Sequence, residues 1–233
     1  MDQSKLTQRE RARNRSTEDR APPASYRDER RPRLNQSWVV KLYLALYNLA
    51  SFGAWGYFAY RLCLTLKDGY NPAKTATTLP LLCWVQTAAI LEIFHAMLGL
   101  VPSAVFSTTV QIFSRLFVVW VPGHLLGLAQ NPGYLVLAVA WTLSDLTRYL
   151  YYFLHLFNIC PRFITWARYS LFIVLYPLGT AGEMSMIWAA REVFAKAGNM
   201  YDYLLLGLLG VYPCGFLFMY RHMFKQRSKY LRK

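Results

Sequence analysis

The sequence predicts an all-α membrane protein: six transmembrane helices around a polar-lined internal cavity, preceded by a disordered basic N-terminal tail. Three observations carry that reading. Apolar residues make up 55% of the chain and gather in runs of about 20 residues, the length that crosses a hydrocarbon core. Turn signals rich in Pro, Gly and Asn separate the runs. Lys and Arg, which bring the formal charge to +14, concentrate on one side of the alternation.

Residues 1–37, "MDQSKLTQRERARNRSTEDRAPPASYRDERRPRLNQS", carry many charges and almost no large apolar side chains. Such a segment buries too little surface to offset chain entropy, so a disordered cytosolic tail is expected. It has no apolar core of a cleavable signal peptide, and retention is expected. Its acids are interspersed with its bases, and no zinc, helix-turn-helix or RNA-binding motif follows. The tail therefore reads as a segment beside an anionic membrane, with no nucleic-acid partner.

Residues 38–224 hold the spans, near Val39–Tyr60, Leu79–Val101, Val105–Leu126, Leu135–Phe157, Phe163–Ala189 and Tyr203–Tyr220. The separators are "KDGYNPAK", "VPSA", "AQNPG", "NICPR" and "KAGN". Residues 225–233 read as a basic cytosolic C-terminal tail. A cytosolic N-terminus puts the basic tail, Arg162, Arg168 and the basic residues after Tyr220 on one side. Only Arg61, Lys67, Lys74, Arg191 and Lys196 then face the other. Both termini are thus expected in the cytosol, consistent with an even number of spans.

Several chemistries are excluded by residue type. Cys63, Cys83, Cys160 and Cys214 are far apart with no CxxC pair, which argues against zinc and thioredoxin-like sites and for buried structural thiols. His95, His124, His155 and His222 form no HxxH box, so no metal site is expected. No GxGxxG or P-loop stretch offers a place for a nucleotide cofactor. His95 beside Glu92 reads as a satisfied interior histidine.

The central spans carry polar residues at helical spacing. The second has Gln86, Glu92 and His95, and the third has Gln111 and Arg115 one turn apart. In the fourth, "SDLTRYLYYFLH" puts Asp145, Arg148, Tyr149 and Tyr152 on one face. The fifth carries Arg168, Tyr169, Tyr176 and Glu183. A charge at mid-membrane costs about 2.5–3.5 kcal/mol even on the lenient insertion scale, so these groups should turn inward and pair. Ion pairs fixing helix register would satisfy that requirement too. But buried pairs add little stability over apolar residues of similar volume, and six such groups favour an interior with a task. The first and last spans, poorer in polar groups, would complete the wall.

Within "LYPLGTAGE", Leu175–Glu183, a phenol and a carboxylate stand seven residues apart, near two helical turns, around Pro177, Gly179 and Gly182. Proline can kink a helix, and glycine permits close approach of backbone or ligand. The Pro–Gly break is therefore expected to re-aim Tyr176 and Glu183 toward one point. A phenol and a carboxylate suit acid–base work on a neutral organic substrate such as a β-hydroxy thioester. One group removes a Cα proton while the other protonates the departing 3-hydroxyl. Glu183 as base and Tyr176 as acid is one assignment, and the reverse remains open. A carrier or scaffold with ion-paired spans is the rival reading, disfavoured by missing repeat symmetry.

Two stretches, "LEIFHAMLGLVPSAVFSTTVQIFSRLFVVW" (Leu91–Trp120) and "RYSLFIVLYPLGTAGE" (Arg168–Glu183), closely resemble the very-long-chain (3R)-3-hydroxyacyl-CoA dehydratases, the protein tyrosine phosphatase-like membrane proteins. The resemblance runs from about Trp38 to Phe224 and leaves out the N-terminal tail. It implies a hydro-lyase of the endoplasmic-reticulum membrane that forms trans-2-enoyl-CoA in the third step of fatty-acid elongation. The implied partners are acyl-CoA, the bilayer, and the condensing enzyme and reductases of the cycle. Coenzyme A enters only as part of the substrate, and no cofactor is implied. The family's catalytic pair falls on Tyr176 and Glu183, and its other important polar positions on Glu92, Gln111, Arg115 and Arg168. Arg148 and Gly179 join these as supporting positions. Asp145 stands where the family usually has Glu, which keeps the charge but changes its reach. The C-terminal "SKYLRK" has Leu231 at position −3, so it departs from a dilysine retrieval signal. On this basis the CoA phosphates are expected near Arg162, Arg168 and the C-terminal basic cluster, and the thioester oxygen near Arg115 and Gln111.

Overall fold

The computed structural model describes residues 37–197 and 200–231, so the N-terminal tail expected to be disordered lies outside the described residues. The helices are α1 (Trp38–Leu66), α2 (Pro72–Ala76), α3 (Leu79–Ala88), α4 (Ile90–Met97), α5 (Val105–Val118), α6 (Pro132–Leu156), α7 (Arg162–Arg168), α8 (Phe172–Lys196) and α9 (Tyr201–Leu231). A π-helical turn, Val119–Leu125, extends α5 and carries Pro122. No strand occurs among the described residues.

Both Asn–Pro separators start helices in the same way. The Asn71 side chain accepts from the Lys74 N–H at 3.1 Å, and the Asn131 side chain from the Gly133 N–H at 2.7 Å. Pro72 and Pro132 follow at the first helical position, where the missing N–H costs nothing. Gly99 and Asn158 turn the chain with positive φ before the loops that precede α5 and α7.

Four stretches are long and apolar enough to cross a membrane: Pro72–Met97, Val105–Leu125, Arg162–Lys196 and Tyr201–Ser228. They correspond to the expected second, third, fifth and sixth spans. The last helix does not end near Tyr220 but continues to Leu231, because nothing in "RHMFKQRSKYL" breaks a helix. The expected break at Pro177 is also absent, since α8 runs on through it. The fifth span is interrupted earlier, at 169–171, between α7 and α8.

The body Val40–Lys233 is organised around α6 and α8. Trp55, Phe58, Leu82, Leu137 and Ile187 are among its most buried apolar side chains. Two glycines set the approach of α8 to α6. A Cβ on Gly182 would lie 2.7 Å from both the Gly133 carbonyl oxygen and the Leu137 nitrogen, so backbone meets backbone there. A Cβ on Gly133 would lie 2.6 Å from the Ser185 Cβ. Small residues on both faces allow this contact where apolar side chains gain nothing from leaving lipid. Helix α9 lies chiefly along α8.

The thiols divide. Cys83 is buried, whereas Cys63 and Cys214 are exposed, so the expectation of buried structural thiols fails for those two.

Candidate active site

Glu183 stands where α8 meets both α6 and α9. Its Oε1 accepts a hydrogen bond from the Trp141 indole N–H of α6 at 3.0 Å, and its Oε2 accepts one from the Tyr212 hydroxyl of α9. Both oxygens of the carboxyl group are thereby engaged. Gly179, one turn before Glu183, faces the same indole, and a Cβ there would sit 3.4 Å from the Trp141 nitrogen, in ordinary van der Waals contact.

Tyr176 occupies the same side of α8, two turns before Glu183. Its ring stacks on Phe216, with centroids 5.2 Å apart and planes 11° apart, and on Tyr220 at 6.1 Å. Tyr212, Phe216 and Tyr220 recur every four residues on α9 and form one stripe. The stripe meets Tyr176 and Glu183 together. The two expected reacting groups thus each contact one neighbouring helix, while their own helix continues through Pro177 and leaves them two turns apart.

Four charged residues of the central spans, Glu92, Arg115, Asp145 and Arg148, join into one network. Arg148 makes two bonds to Glu92, at 2.8 and 2.9 Å, and reaches Asp145 at 3.0 Å. Asp145 also pairs with Arg115 at 2.8 Å. Tyr149 donates to Glu92, and Tyr47 of α1 approaches the same oxygen at 3.5 Å. Each carboxylate and guanidinium has a partner, which meets the requirement for charges held away from water. The network reaches the Glu183 region through Arg115, whose guanidinium lies 4.4 Å from the centre of the Trp141 ring.

Other expected residues lie elsewhere. His95 is buried, with its ring nitrogen 2.8 Å from the Tyr43 hydroxyl, as a satisfied interior histidine should be. Gln86 is buried and stands outside the network, with neither amide atom hydrogen-bonded. Gln111 is on the exposed side of α5. Arg168 ends α7, where it reaches the Tyr152 hydroxyl at 3.4 Å and borders a shallow pocket with Ser144, Thr147 and Phe172. Arg227 of α9 approaches the same turn, donating to Ser170 at 3.4 Å.

Trp141 and Tyr212 were not singled out from the sequence. Trp141 stands four residues before Asp145 on the face that also holds Tyr149, so extending that stripe by one turn finds it. Tyr212 lies in the span read as plain wall, and only contact with α8 reveals it.

Comparison with known proteins adds an independent observation. A family model described as "Protein tyrosine phosphatase-like protein, PTPLA" matches residues 86–233. The chain is 37% identical over 208 residues to very-long-chain (3R)-3-hydroxyacyl-CoA dehydratase 1 of Mus musculus, covering 83% of this chain and 74% of that protein. It is 35% identical over 210 residues to very-long-chain (3R)-3-hydroxyacyl-CoA dehydratase 2 of Homo sapiens, covering 83% and 82% respectively. A probable enzyme of the same name from Schizosaccharomyces pombe is 34% identical over 203 residues, covering 83% and 95%. No solved structure matches the chain.

Proposed function

The chain belongs to the protein tyrosine phosphatase-like (PTPLA) family, and from that membership we propose that it dehydrates very-long-chain (3R)-3-hydroxyacyl-CoA to trans-2-enoyl-CoA. It is a hydro-lyase acting in the third step of very-long-chain fatty-acid elongation. The observation that supports the chemistry best is Glu183, a carboxylate inside an apolar bundle that accepts from Trp141 and Tyr212 and lies two turns from Tyr176.

Glu183 is the base and Tyr176 the acid. The Glu183 carboxylate takes the Cα proton, and the C–H electrons become the new C2–C3 π bond. The C3–O bond breaks, and the leaving hydroxyl takes the Tyr176 proton to depart as water. Return of the proton from Glu183 to the Tyr176 phenolate completes the cycle. Both side chains lean the same way along α8, so the axial gap of about 10 Å between the two positions is left for the reacting C2–C3 unit and the reach of the phenol and the carboxylate to bridge.

Six spans are assigned, with α1 and α6 joining the four apolar stretches. Their 29 and 25 residues exceed the roughly 20 needed to cross the hydrocarbon core. The charges of α6 are paired inside the bundle, which leaves its outer face fit for lipid. The polar-lined cavity is assigned to the junction of α6, α8 and α9 around Glu183. Both termini are placed in the cytosol on the distribution of Lys and Arg. Residence in the endoplasmic-reticulum membrane and partnership with the other elongation enzymes follow from the family.

Coenzyme A is assigned to the cytosolic rim formed by Arg162, Arg168 and Arg227, where charged phosphates stay in water. Arg115 already carries Asp145, so its contact with the thioester oxygen requires that it share its remaining donors. The purified protein, given a (3R)-3-hydroxyacyl-CoA of very long chain, is expected to release the trans-2-enoyl product. Failure to form product in correctly inserted protein, with transport of the thioester instead, would establish the carrier reading.

A further inference from the structure

We propose that Tyr212 and Trp141 are positioning residues that clamp the Glu183 carboxylate between two helices, so that α9 is part of the catalytic apparatus and not only wall. The inference rests on the acid–base reading of Glu183 given above.

Three observations lead there. Each oxygen of Glu183 has its own donor, and the donors come from two different helices packed on α8: the indole of Trp141 on α6 and the phenol of Tyr212 on α9. A carboxylate held at one oxygen still rotates about its terminal torsion, whereas one held at both is fixed in plane and direction. Second, the two donors are themselves anchored. The Trp141 ring is buried and carries the Arg115 guanidinium on its face at 4.4 Å. Tyr212 belongs to the stripe whose next members, Phe216 and Tyr220, stack on Tyr176. Third, the same stripe touches both reacting groups, holding the Tyr176 ring by stacking and the Glu183 carboxylate by a hydrogen bond. α9 therefore fixes the directions of base and acid, which an unbroken α8 leaves two turns apart.

A base that must reach one Cα proton in a bound thioester depends on such fixing, because small misplacements of a reacting group cost rate steeply. Neither Tyr212 nor Trp141 needs to touch the substrate. Their effect passes through Glu183.

The test is a double-mutant cycle in the full-length membrane protein, read by turnover of a very-long-chain (3R)-3-hydroxyacyl-CoA. Tyr212→Phe keeps the ring and removes only the donor. It should lower kcat about tenfold, with KM changed less than about twofold, as for an interaction made by the catalytic group and not by substrate binding. A substrate deuterated at C2 should show a larger isotope effect in Tyr212→Phe, because proton removal becomes slower. Placed in the Glu183→Gln background, Tyr212→Phe should change the residual rate less than about twofold. Trp141→Phe, run through the same cycle, provides a second variant should Tyr212→Phe not accumulate as folded protein. Equal fractional losses in both backgrounds, or unchanged kcat in folded Tyr212→Phe and Trp141→Phe, would overturn the clamp while leaving Glu183 as base. Normal turnover of Glu183→Gln would instead refute the acid–base reading, and the clamp with it.

Discussion

The hydroxyl of Tyr220 donates to the carbonyl of Ile173 at 3.1 Å, joining α9 to α8 at the carbonyl that Pro177 leaves without its helical partner. A proline inside a helix offers no N–H to the carbonyl four residues back. In lipid no water can take that place, so a side chain from a neighbouring helix does. The disturbance that Pro177 introduces is thereby answered by α9, one turn from the ring of Tyr176.

Removing that answer should be measurable. Tyr220→Phe is expected to lower stability by about 1 kcal/mol, the usual net worth of one such bond. In a Pro177→Ala background, where position 177 regains its N–H, the same change should cost less than half as much. Thermal unfolding of the detergent-solubilised variants checks this, and identical losses in the two backgrounds would mean that the bond does not serve Pro177.

The reacting pair makes the most direct prediction. Tyr176→Phe removes a hydroxyl and Glu183→Gln a charge, and neither changes side-chain volume much. Each should lower turnover at least about 10²-fold, the low end for a general acid or base. Because Tyr176 is also held by Phe216 and Tyr220, the Phe variant keeps its stacking and should retain wild-type unfolding temperature. Near-normal turnover by either variant would remove that residue from the mechanism.

Three glycines give a graded series. Gly182→Ala would drive a Cβ to 2.7 Å from two backbone atoms of α6, which cannot turn aside. Overpacking of this kind costs about 1–3 kcal/mol or more, and the yield of folded protein should fall sharply. Gly179→Ala meets the Trp141 nitrogen at 3.4 Å, an ordinary van der Waals contact, so yield and kcat should both fall far less than in Gly182→Ala. Gly53→Ala meets nothing within 4 Å and should be silent in both assays. A ranking that puts Gly53 above Gly182 in yield loss would refute the assigned helix contact.

Much of this was legible in the chain because hydrophobic length and turn chemistry are local. "NPAK" and "NPG" became capped helix starts, and the four apolar stretches appeared where expected. The pairing of Glu92 with Arg148, and of Asp145 with Arg115, follows from the cost of lone charges in lipid, although which acid takes which base does not. What stayed hidden depends on contacts between helices distant in sequence. Pro177 reads locally as a break, yet the helix continues, and Tyr220, 47 residues after Ile173, satisfies the freed Ile173 carbonyl. Tyr212 reads as one aromatic among many until α9 is laid against α8.

The network on α4 and α6 should matter first for folding. Arg148 holds Glu92 by two bonds, and Glu92 and Arg148 are both largely buried. Arg148→Met would strand Glu92 and Asp145 with one less positive charge, at an expected cost of about 3–5 kcal/mol. Adding Glu92→Gln should restore part of the loss, because the stranded charge is gone. Unfolding midpoints of the single and double variants decide it, and a double variant less stable than Arg148→Met alone would contradict the pairing.

The basic rim makes a prediction about the substrate's head and not its reacting carbons. Arg168 and Arg227 approach the same turn between α7 and α8, and Arg162 opens α7. If they hold the phosphates of coenzyme A, Arg162→Gln with Arg168→Gln should raise KM about tenfold, as for loss of charge-assisted bonds, and leave kcat nearly unchanged. The matched substrate is a 3-hydroxyacyl pantetheine thioester, which keeps the reacting carbons and the arm but carries no phosphate. With it, the variant and the parent should perform alike, because the groups removed from the protein then have nothing to bind. A defect of equal size on both substrates would place the arginines in the structure of the rim and move the coenzyme elsewhere.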